Sequence, residues 1–107
     1  MFLMLWSACI LSESDTCRTT CDRLYTADQC DIQRPGRATD ELVEACRDSC
    51  FQAMQTRGEA GDYDPTTRSD SSVSVELENK AQAKLWSECV AETSCEDLED
   101  GYCAPIW

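Results

Sequence analysis

The chain has 107 residues, nine of them cysteine and none histidine, and carries 21 acidic against nine basic residues for a formal net charge of −12. That length bounds it to one domain with a modest core. The charge repels phosphate backbones, which argues against nucleic acid, and disfavours docking on anionic lipid through a basic patch; it favours solubility, basic partners or loosely held divalent cations. Without His there is no Ser/His/Asp or Cys/His catalytic set and no mixed Cys/His zinc site.

The chain opens on its one strongly apolar run, MFLMLWSACIL, residues 1–11. Eleven residues are too few to span a bilayer. The run resembles the apolar and cleavage regions of a secretory signal, with its basic segment expected upstream of Met1. The bland alternative is an apolar arm packed on the fold. Ser7 and Ala8 directly before Cys9 look like a bacterial lipobox, although Trp6 stands where an aliphatic residue is usual. This reading makes residues 1–8 a leader, Cys9 the lipidated new amino terminus, and 9–107 a single domain. The competing reading leaves Cys9 a free or intermolecular thiol.

A first helix is expected over 12–29, capped by Ser12 or Ser14, with Cys17, Cys21 and Leu24 on one face. Residues 30–38 form a turn about Pro35-Gly36. A second helix follows at 39–57, with Thr39 as N-cap and Val43, Cys46, Cys50, Ala53 and Met54 as its apolar stripe. Residues 58–72 read as an exposed, mobile polar loop with nothing to build a core. A third helix is expected over 73–93, with Leu77, Ala81, Leu85 and Cys89 repeating every four residues and Trp86 and Val90 alongside. The tail breaks at Gly101 and Pro105, and Leu98, Ile106 and Trp107 can fold back on the helices. No strand is expected, so the fold class is a small all-α, disulfide-stapled domain of three helices.

Two Cys-x₃-Cys units, CRTTC (17–21) and CRDSC (46–50), carry most of the information. On a helix, positions i and i+4 stand one above the other. Two such helices running antiparallel demand crossed pairing, Cys17 with Cys50 and Cys21 with Cys46; the short Pro-Gly connection disfavours the parallel alternative. Among the remainder, spacing favours Cys30–Cys89 and a local clasp Cys95–Cys103. Cys30–Cys95 with Cys89–Cys103 is the alternative, since connectivity is not encoded in spacing. Eight cysteines then pair without remainder, and Cys9 is the ninth.

The twin units resemble the helical hairpins of small chaperones in the mitochondrial intermembrane space, which carry four cysteines, all in the two twin motifs. A second resemblance covers residues 9–103. Cys17 and Cys21, Cys30, Cys46 and Cys50, Cys89, then SCEDL at 94–98 and Cys103 resemble a group of small Cys-rich lipoproteins of myxobacteria and their relatives. Two cysteines of that pattern are absent here, one near the start of the third helix and one beyond Trp107. The resemblance implies a secreted, lipid-anchored helical scaffold and supplies no activity.

Other chemistry is weaker. Cys17, Cys21, Cys46 and Cys50 have spacing compatible with a Cys₄ zinc site, which is the rival to oxidation. No Cys-x₂-Cys redox motif is present. Glu88, Glu92, Glu96, Asp97, Glu99 and Asp100, and the loop triad Asp62, Asp64 and Asp70, lack the order of a calcium loop and read as solvated faces. Trp86, Tyr102 and Trp107 read as packing residues. The sequence therefore points to a non-enzymatic exported lipoprotein without cofactor, a structural or binding module at the cell envelope held to the membrane through Cys9, with protein as the candidate partner. The alternatives are an intermembrane-space-type hairpin acting as assembly factor or accessory subunit, and a zinc-binding protein.

Overall fold

A computed structural model of the chain describes residues 13–65 and 76–103. The described residues form helices α1 (Glu13–Tyr25), α2 (Thr39–Met54), α3 (Lys80–Glu92) and α4 (Cys95–Glu99), with no strand among them. The fold is all-α. Helices α1 and α2 are antiparallel and α3 packs against both.

Helix α1 stops four residues before the expected end. Thr26 donates both its backbone N–H (3.0 Å) and its hydroxyl (2.6 Å) to the Asp22 carbonyl, closing the last turn. The chain then reverses through Asp31 at φ 51°, so that Cys30 N–H reaches Arg23 O and Ile32 N–H reaches Leu24 O, each at 3.0 Å. This hook buries Cys30 and Ile32. The Pro-Gly turn follows, with Gly36 at φ 80°, where only a residue without Cβ is unstrained. The N-cap of α2 is Ala38 rather than Thr39, and the Glu41 carboxylate accepts from Ala38 N–H at 3.0 Å.

Helix α3 begins well inside its expected range because a polar lock sets its start. The Asn79 side chain caps the Gln82 N–H (3.0 Å), and the Gln82 side chain accepts from Glu78 N–H (2.9 Å). The same two amides donate back to Glu59 O and Ala60 O, and Lys80 N–H bonds Thr56 O at 2.9 Å. Gly58 lies so close that a Cβ there would fall 2.7 Å from Asn79 Nδ2. The first part of the polar loop is therefore fastened rather than free: Pro65 is buried and its carbonyl accepts from Cys103 N–H at 3.0 Å. Residues 66–72 of that loop lie outside the described residues.

The buried face of α3 also departs from expectation. Ala83, Trp86 and Val90 are fully buried, while Leu85 is 36% exposed. A repeat of strictly four residues advances roughly 40° around the helix at each step, so it cannot stay on one face. The i, i+3, i+7 set around Trp86 does. Trp86, Tyr25, Leu42, Leu98 and Val90 are the largest fully buried side chains besides the sulfurs.

Four disulfides tie these elements together. Cys17–Cys50 and Cys21–Cys46 cross between α1 and α2, with Cα–Cα separations of 5.7 and 5.8 Å. The other four cysteines take the alternative connectivity, Cys30–Cys95 and Cys89–Cys103, in place of Cys30–Cys89 and Cys95–Cys103. The reason is α4, a short helix where the sequence pattern suggests only a tail. The Ser94 hydroxyl caps it at Asp97 N–H, and it occupies the stretch that a local clasp would need as a loop. Its first residue, Cys95, meets the hook at Cys30. Gly101 (φ 108°) and Cys103 (φ 62°) then turn the chain back to Cys89 on α3. Leu98 packs into the core as expected; Ile106 and Trp107 lie outside the described residues.

One cation completes the assembly. Arg23, on α1, donates from Nε to Val90 O (2.8 Å) and from Nη2 to Thr93 O (2.6 Å), satisfying carbonyls at the C-terminus of α3. A positive charge there also complements the helix dipole. Arg23→Met keeps the apolar stem and removes both bonds, so it should cost about 1.5–3 kcal/mol, the range for hydrogen bonds to charged groups. Urea unfolding with disulfides intact measures this against Arg37→Met, an exposed control expected to change stability by less than about 0.5 kcal/mol. Equal effects would remove Arg23 from the account.

Candidate functional site

The bundle has two chemically distinct ends. Cys17–Cys50 places the start of α1 beside the end of α2, and the Lys80–Thr56 bond places the start of α3 there too. Arg23 places the end of α3 beside the end of α1, where Cys30–Cys95 adds α4. The chain thus runs up, down and up. The near end gathers the starts of α1 and α3 and the last turn of α2; the far end gathers the hook, the Pro-Gly turn and α4.

Cys9 and residues 1–8 lie outside the described residues. Three residues lie between Cys9 and Glu13, so Cys9 is at most about 14 Å along the chain from the first turn of α1.

The eight remaining cysteines are all in disulfides. Cys17, Cys21, Cys46 and Cys50 consequently present no thiolate, the species a Cys₄ zinc site requires. Four disulfides in so small a domain indicate an oxidising, extracytoplasmic environment. No helix among the described residues is long and apolar enough to cross a membrane.

The acidic residues of the tail are exposed and divided between elements. Glu88 and Glu92 lie on α3, while Glu96, Asp97, Glu99 and Asp100 lie on or just after α4. Asp62 and Asp64 are exposed, and Asp70 is outside the described residues. Among the described residues no group of three or more Cys, Asp or Glu is placed to hold a metal ion. An open groove of about 910 Å³ runs between α1 and α2 past Asp22, Asp40, Glu44 and Asp48. Arg47 bridges its floor, donating from Nη2 to Asp22 at 2.9 Å, while its Nε is buried without a partner. The groove is a shallow acidic surface with no nucleophile and base held against each other.

Trp86 is wholly buried and Tyr102 half-buried against the core, both as packing residues; Trp107 is outside the described residues. Arg23, Ile32 and Tyr63 carry no signal in the sequence pattern. Tyr63 packs half-buried on the core beside an acidic cleft that contains Glu59, Asp62 and Glu76. Burial, with the neighbouring Asp64 carboxylate, raises its phenol above the ordinary range. A raised acid loses its proton more readily when unfolded, so its contribution is intact below about pH 10 and fades as pH climbs beyond. Between pH 9 and pH 11 the native protein should lose more stability than Tyr63→Phe does, as read from urea midpoints; parallel losses would show that Tyr63 ionises freely.

Comparison of the chain with protein-family models, with characterised proteins and with solved structures returns no match.

Proposed function

We propose that this protein is an exported, lipid-anchored, non-enzymatic module of the cell envelope, with the lipid on Cys9. The carrying observation is one of parity. Eight cysteines pair completely among themselves, and the ninth follows the apolar stretch MFLMLWSA. A cysteine that the scaffold does not need, preceded by small residues and an apolar run, fits a lipobox better than a fifth bridge. The resemblance of residues 9–103 to the small Cys-rich lipoproteins supports the same reading. The disulfides fit an oxidising destination, and the open acidic grooves fit a structural or protein-binding role more than a substrate site.

A second reading has one specific observation in its favour. The crossed bridges between α1 and α2 are the pairing that antiparallel Cys-x₃-Cys hairpins demand, as in assembly factors of the intermembrane space. It differs from the first in the fate of Cys9.

Expression in a bacterial host with an alkyne-tagged palmitate decides between them. The chain should take up label, and Cys9→Ser should lose it. Label retained in Cys9→Ser, or a native chain that is never labelled while a host lipoprotein is, would contradict the anchor.

A further inference from the structure

We propose that Cys30–Cys95 is a thiol-exchange latch: the one bridge that opens to an external dithiol while the fold stands, freeing α4 from the bundle. The proposal is independent of the fate of Cys9.

The eight paired cysteines are not equally accessible. Seven are buried, and Cys95 alone is half-buried. Cys17, Cys21, Cys46 and Cys50 are at most 1% exposed, between α1 and α2. Cys89–Cys103 is covered by the α2–α3 connection: the Pro65 carbonyl lies 3.6 Å from Cys89 Sγ and accepts from Cys103 N–H. A thiolate breaks a disulfide by attacking one of its sulfurs, so access to a single sulfur governs the rate. Cys95 offers that sulfur, whereas a buried one reacts only when the structure around it opens.

The segment that this bond fastens is built to move alone. Helix α4 packs only sparsely on the three longer helices. The backbone N–H groups of Leu98, Asp100, Gly101 and Tyr102 bond to carbonyls of residues 94–98, inside the segment itself. Both flanks are fixed by other means. Arg23 holds the Thr93 carbonyl, and Cys103 is tied to Pro65 and to Cys89. Between those points, Cys30–Cys95 and the buried Leu98 fasten the segment to the hook and the core. Extended Ser94 and Gly101 at φ 108° stand at its two ends, as hinge positions do. With the one bond open, residues 94–102 are a loop held at both ends, and the other three bridges still clamp the bundle.

A dithiol is the reductant that the geometry selects. Its thiolate attacks Cys95 Sγ; the S–S bond breaks, and the electron pair leaves on Cys30 Sγ, which takes up a proton. Cys30 stays on the hook, and its Cα lies 5.1 Å from that of Cys95 in the closed form, so against a single thiol it re-forms the bond. A second thiolate on the reductant instead attacks the mixed disulfide and expels Cys95, which takes up a proton in turn. Two electrons pass to the protein, and the reductant closes to its own disulfide.

Full-length protein, with any free thiol blocked beforehand, is exposed to limiting dithiothreitol. Thiols are trapped with a maleimide at intervals and located by peptide mass. Thiols at 30 and 95 should appear about tenfold ahead of any other pair, the margin expected when one sulfur is reached without opening the structure. In the trapped two-thiol species, deuterium exchange should quicken in 94–102 and stay unchanged in α1 and α2. First thiols at 89 and 103, at either crossed bridge, or at all eight positions together would overturn the proposal. So would thiols at 30 and 89 beside a 95–103 bond, which is rearrangement instead of opening. Exchange that quickens nowhere, or throughout the bundle, would also overturn it, because α4 would then not be what the bond holds.

Discussion

Everything in this molecule hangs from the two crossed disulfides that clamp α1 to α2. A chain of 107 residues with a core built around one Trp, one Tyr and a few aliphatic side chains has little apolar surface to bury. Cys17–Cys50 and Cys21–Cys46 close loops of 33 and 25 residues, worth about 3–4 kcal/mol each if they act by restricting the unfolded chain. Their geometry matters as much as their energy. Because both sulfurs of each helix lie on one face a turn apart, the pair sets the helices antiparallel and in a single register. That register presents Tyr25, Leu42 and the sulfurs as one surface, on which α3 lays Trp86 and Val90.

The remaining ties are longer in reach and more varied in chemistry. Cys30–Cys95 joins residues 65 apart, and Arg23 reaches 67 and 70 residues along the chain to two carbonyls. Both act at the far end. At the near end, Asn79 and Gln82 bind the α2–α3 connection to the first turn of α3 by hydrogen bonds alone. Beyond the two clamping disulfides, the far end is thus tied by a further disulfide and by a guanidinium on backbone carbonyls, the near end by side-chain amides.

This division explains what could be read in the sequence. The Cys-x₃-Cys helices and their crossed pairing were legible because i, i+4 periodicity is local and antiparallel order follows from a short turn. The far end was not, because the choice between Cys89 and Cys95 as partner of Cys30 depends on α4, a five-residue helix announced only by Ser94 and too short for periodicity to show. The buried face of α3 was misjudged at Leu85 because a four-residue repeat imitates a stripe over two turns and drifts off it over three. Arg23 looked like one more solvated cation; only tertiary contact with the end of α3 gives it a role.

The even pairing of eight cysteines is what frees Cys9 for another role, so connectivity is the central claim. A non-reducing peptide map tests it directly. Trypsin cuts after Arg18, Arg23 and Arg47, and a glutamate-specific protease cuts after Glu92 and Glu96, which together separate every paired cysteine from its neighbours. The account predicts four linked peptide pairs, 17–50, 21–46, 30–95 and 89–103, and no disulfide from Cys9 to any of them. Parallel pairing of the twin motifs, a 95–103 clasp, or any of the eight found bonded to Cys9 would contradict it.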